Sequence, residues 1–122
     1  MQASITAARV AGPLSQPDGA TVFEFRFAAH DPVFAGHFPN RPLLPGVFQL
    51  EMARAAAQWT LDCPLAISEV CKAKFLRPIL PDELVRLDLK LSHEPAAVLA
   101  RAGFSVGGRP AGETLLRLWR SK

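Results

Sequence analysis

The chain has 122 residues, 49% of them hydrophobic, and a net charge of +3 with a pI near 9.3. That length bounds it to one domain over residues 1–122, and no run approaches the ~20 apolar residues of a membrane span. The dispersed positive charge has no nucleic-acid motif behind it and suits an acidic protein partner. Cys63 and Cys71 have no matching pair to complete a zinc site and fit reduced thiols in a cytoplasm. The opening MQASITAARV lacks the charged and apolar blocks of a signal peptide.

In chain order, Ser4 to Val10 is predicted as a short strand, with Gly12-Pro13 and Gln16-Pro17-Asp18-Gly19 as turns. Thr21 to Ala28 alternates, placing Phe23, Phe25 and Phe27 on one face of a half-buried strand. His30 to Leu44 reads as a loop, and Pro45 opens a helix to about Leu61, where a missing N–H costs nothing. Val47, Phe48, Leu50, Met52, Ala53, Ala56, Ala57, Trp59 and Leu61 cover most of that helix; only Glu51, Arg54 and Gln58 form a polar stripe. Such a helix is expected to be wrapped by other structure. Ile67–Phe75, Leu84–Ser92, Val98–Val106 and Thr114–Arg120 then read as strands, the second with Val85, Leu87, Leu89 and Leu91 facing inward. The expected fold is α+β, an antiparallel sheet curled around a long helix. Its high apolar content implies a surface covered by another subunit.

The segment GHFPNRPLLPGVFQLE, Gly36 to Glu51, carries the chemistry. Pro39, Pro42 and Pro45 stiffen a loop that holds His37, a side chain that titrates near neutral pH. Glu51 sits in an apolar run, and apolar surroundings favour the neutral, proton-donating carboxyl. A base, an acid and the unpaired N–H groups of a helix start together suit proton-transfer chemistry.

These residues resemble the 3-hydroxyacyl-acyl-carrier-protein dehydratases of the FabZ type. That family's signature, His-Phe-Pro-x-x-Pro-x-x-Pro-Gly-Val and then a carboxylate, reads here as His37, Phe38, Pro39, Pro42, Pro45, Gly46, Val47 and Glu51. KAKFLRPILPDE, Lys72 to Glu83, is similar to its Arg-Phe-x-x-Pro-x-x-Pro-Gly-Asp element, and the resemblance runs from about Asp31 to Leu91. The chain lacks the family's Leu-Pro-His-Arg-Tyr-Pro-like opening and has Ala55 where glutamine is frequent. It looks more like the compact ApeI-like enzymes. The resemblance implies a hotdog fold and dehydration of a 3-hydroxyacyl thioester on acyl carrier protein, with no cofactor or metal. In that reading His37 is the base, Glu51 the acid, and the amide of Gly46 or Val47 polarises the carbonyl. Phe34, Phe38 and Phe48 are tunnel candidates, and Lys72, Lys74 and Arg77 a carrier-docking set. It also implies a homodimer whose sites pair His37 of one chain with Glu51 of the other. An acyl thioesterase and a non-catalytic acyl-binding or subunit-pairing module are the alternatives. The residues alone also allow Glu51 to be a surface residue paired with Arg54, and leave His30 and His93 as exposed side chains.

Overall fold

The computed structural model describes residues 1–35 and 42–121. A short helix α1 (Gln2–Ala8) leads into strands β1 (Arg9–Ser15) and β2 (Thr21–Arg26). A single 3-10 turn, Pro32–Phe34, precedes the long helix α2 (Gly46–Leu61). Strands β3 (Leu65–Phe75), β4 (Leu84–His93), β5 (Val98–Val106) and β6 (Arg109–Arg120) complete one sheet in the order β1-β2-β4-β5-β6-β3. Every neighbouring pair is antiparallel. This is the expected α+β architecture, with α2 lying across one face of the sheet.

The first element differs from its expectation. Residues 4–8, expected as part of a strand, belong to α1, and the strand starts only at Arg9. Ile5 and Ala8 are both buried. Three positions apart, they share a helix face but would point to opposite sides of a strand. Gly12-Pro13 is no turn either: it lies inside β1, at a register irregularity against β2. A Cβ on Gly12 would stand 2.7 Å from the Val22 carbonyl oxygen, so the two strands approach closely there. The other elements fall within a few residues of expectation, except that β6 starts well before Thr114. Gly107 and Gly108, both at positive φ, make a two-residue hairpin turn, so pairing begins directly after them at Arg109.

The core forms between α2 and the sheet. Phe23 and Phe25 pair with Leu87 and Val85 across β2 and β4, and all four side chains are buried. Trp59 packs on Phe23 and Phe25 with ring centroids 5.9 and 6.3 Å apart, and Phe48 meets Phe27 edge-on at 6.2 Å. Ala53, Ala55, Ala56 and Ala57 have no exposed surface, so small side chains let the sheet close on the helix. Full burial of a Phe or Leu side chain stabilises by roughly 1.5–3 kcal/mol.

The wrapping expected of α2 is incomplete within one chain. Its buried face carries Phe48, Gln49, Met52, Ala53, Ala55, Ala56 and Ala57, whereas Val47 is 48% exposed and Leu50 and Glu51 are part-exposed. Beside this open face runs β3, an edge strand exposed from Ser68 to Phe75. No helix among the described residues is long and apolar enough to cross a membrane.

Candidate active site at the start of the long helix

The site is built where three segments meet. The Leu44 amide donates to the Ile79 carbonyl at 2.8 Å, tying the residues before α2 to the connection after β3. The Leu76 and Arg77 amides both donate to the Ala111 carbonyl, at 2.9 and 3.2 Å, fixing that connection to β6. Pro45 is the N-cap residue and supplies no side-chain cap. The Gly46 and Val47 amides therefore belong to the first turn, where N–H groups lack intrahelical acceptors and carry the positive end of the helix dipole. Gly46 is where Phe75 reaches the helix: a Cβ there would lie 2.9–3.1 Å from the Phe75 ring. These segments enclose a cleft of about 250 Å³ whose walls include Leu43, Leu44, Gly46, Gln49, Phe75 and Arg77. A second, largely apolar cleft shares Leu43 and Pro78 with it.

Glu51 lies further along α2, and its surroundings correct the apolar setting expected for it. Its Oε2 accepts from Arg54 Nε at 3.0 Å, and its side chain is 26% exposed. Arg54 also donates to Gln58 Oε1 at 3.1 Å, to the Leu65 carbonyl at 3.2 Å and to Gln2 Oε1 at 2.5 Å. The carboxylate is thus oriented by an arginine that bonds to α1, α2 and β3. Five residues along a helix turn Glu51 about 140° away from Gly46. Within one chain the acid candidate and the helix-start amides do not face the same space.

The other candidates fall as follows. His37 and Phe38 lie outside the described residues. Phe34 and Phe48 are 7% and 9% exposed and belong to the core. The cleft at the helix start is lined instead by Leu43, Leu44 and Phe75, because the phase of α2 turns Phe48 inward onto Phe27. Lys72 is bound to Glu113 at 2.6 Å. Its hydrogen bond and charge, with the charges of Lys74 and Arg101, hold the Glu113 carboxyl below its usual pKa. Lys74 and Arg77 are exposed, as are His30 and His93. No group of His, Cys, Asp or Glu among the described residues is placed to hold a metal ion.

One residue escaped the sequence reading. Gln49 is 3% exposed, lines the cleft beside Gly46, and its Oε1 has no hydrogen-bond partner among the described residues. The signal was present: a glutamine three positions after Gly46 falls on the same helix face as Ala53, an inward phase where a polar side chain needs a reason.

Comparison with known proteins places this geometry. The family model described as ApeI-like, ApeI dehydratase, matches residues 14–107. That range contains both motifs and extends the likeness beyond Asp31–Leu91 in each direction. A 3-hydroxyacyl-[acyl-carrier-protein] dehydratase FabZ of Symbiobacterium thermophilum is 34% identical over 99 residues, covering 75% of this chain and 66% of the relative. The FabZ of Paracidovorax citrulli is 35% identical over 92 residues, covering 63% of each. The chain thus spans just under two-thirds of these relatives' length. Among solved structures, the dehydratase heterocomplex ApeI:P from Xenorhabdus doucetiae superposes with TM-score 0.73 at 23% identity, over 92% of this chain and 96% of that one. A probable thioesterase from Bartonella henselae gives 0.66 at 14% identity, over 84% of this chain and 90% of that one. These structural likenesses establish the hotdog fold alone. The match over residues 14–107, which spans the helix start and the strand after it, shows that the chain belongs to the ApeI-like dehydratase family.

Proposed function

We propose that the protein dehydrates a 3-hydroxyacyl thioester carried on acyl carrier protein to the trans-2-enoyl thioester. The observation that carries this reading is the family match spanning a helix that starts at Gly46 and bears Glu51. In the proposed reaction the Gly46 or Val47 amide polarises the thioester carbonyl, which acidifies the α-carbon. His37 takes the α-proton, and Glu51, in its protonated form, gives a proton to the departing 3-hydroxyl. The C–O bond breaks, water leaves, and the double bond forms between the second and third carbons. No electrons leave the substrate, so the reaction needs no redox cofactor.

The rotation of Glu51 away from Gly46 supports a site shared between two copies, in which one chain's helix start and His37 work with the other chain's Glu51. The open β3 edge and the exposed Val47, Val70, Phe75 and Leu76 are the surface such a dimer would cover. Lys74 and Arg77, exposed beside the cleft, suit the acidic surface of a carrier protein; Lys72 contributes less, being paired with Glu113.

The test is enoyl-thioester absorbance from a 3-hydroxyacyl-carrier-protein, with free thiol followed in parallel. Enoyl product without thiol release is expected, falling by about 10²–10⁴ in His37→Ala. Thiol release without enoyl absorbance would assign the chain to the thioesterase alternative.

A further inference from the structure

Gln49 is buried, yet its amide oxygen has no hydrogen-bond partner among the described residues. Leaving a buried acceptor unpaired costs about 1–3 kcal/mol, and such groups are rare enough to need a cause. The oxygen is not there for want of room. A Cβ on Gly112 would stand 2.3 Å from Gln49 Oε1 and 2.8 Å from the Lys74 carbonyl, so only a glycine in β6 leaves space for the carboxamide. Gly112 pairs across the strands with Phe75, the same ring that rests on Gly46. Gly46, Phe75 and Gln49 therefore line the cleft at the helix start together, with Gly112 behind the Gln49 carboxamide.

Resting on the dehydratase reading above, we infer that Gln49 binds the substrate, its Oε1 accepting a hydrogen bond from the 3-hydroxyl of the acyl thioester. An acceptor needs a donor. The thioester carbonyl and sulfur have no hydrogen to give, and of the other side chains lining the cleft only the exposed Arg77 carries a donor, which makes no hydrogen bond to Gln49 Oε1. The 3-hydroxyl has one, and it lies two carbons from the carbonyl. Gln49 lies about 4.5 Å along the helix from Gly46, on the cleft side and nearly opposite Glu51 on the helix surface. With the carbonyl at the helix-start amides, the hydroxyl falls to Gln49. Its oxygen stays free to accept the proton that expels it, while its hydrogen is held. The enoyl product has no hydroxyl, so the contact favours substrate over product.

The test compares Gln49→Met, close in volume, with the wild type on two pantetheine thioesters: 3-hydroxybutyryl as substrate and unreactive butyryl as competitive inhibitor. Expected are a roughly tenfold rise in KM for the hydroxyacyl thioester, an unchanged inhibition constant for butyryl, and a melting temperature that does not fall. An equal loss on both ligands would place Gln49 against the pantetheine arm and overturn the inference. So would a lower melting temperature in Gln49→Met and Gln49→Leu alike, which would make the carboxamide structural, or an unchanged KM. A wild type that forms no enoyl product would instead refute the dehydratase reading and take this inference with it.

Discussion

Arg54 is the residue that most changes how Glu51 must be understood. It holds the carboxylate at 3.0 Å while also anchoring to Gln58, Leu65 and Gln2. Arg54→Met should therefore cost stability, about 1–3 kcal/mol for charged hydrogen bonds lost in a part-buried setting, read as a shift in urea midpoint. A variant as stable as wild type would mean that these bonds merely replace equivalent ones to water. Glu51→Gln keeps the shape but cannot give a proton. It should fold normally and lose dehydration by about 10²–10⁴, and full activity in that variant would return Glu51 to a surface role. The helix start at Gly46 was legible because a proline followed by a glycine marks it. The Arg54 contacts to α1 and β3 were not, because they join segments that sequence distance keeps apart.

At the level of elements, the junction of α2, β3 and β6 carries the site. Gly112 is where all three meet, so Gly112→Ala should destabilise the fold by roughly 1–3 kcal/mol, the usual cost of overpacking. Its Cβ would press on the Lys74 carbonyl as well as the Gln49 side chain, and backbone cannot swing away. Unaltered thermal unfolding would show that the junction is loosely packed. The long alternating strands were readable from their period, as Val85, Leu87 and Leu89 confirm by their burial. The first element was not. Seven residues of mixed Ala, Gln, Ser, Thr and Ile fit either state locally, and it is the docking of Ile5 and Ala8 that selects the helix. Gly12-Pro13 misled for a similar reason: the pair marks a strand irregularity as well as it marks a turn.

For the whole molecule, the proposed homodimer would cover the open face of α2 beside the exposed β3 edge. Mixing His37→Ala with Glu51→Gln chains, each inactive alone, should restore activity in the hybrid, since one of its two sites would keep both groups. No recovery from a demonstrated mixed dimer would place both residues in one chain's site. Charge reversal at Lys74 and Arg77 should raise KM for the carrier-bound substrate with little change in kcat, and leave a pantetheine thioester unaffected. Equal loss on both substrates would remove the docking role. The central claim is the reaction itself, and the most direct measurement is the intact mass of a 3-hydroxyacyl-carrier-protein after incubation with the purified protein. Dehydration predicts a carrier lighter by one water with its acyl chain still attached; a carrier that loses the whole acyl group, or one that is unchanged, would contradict the account.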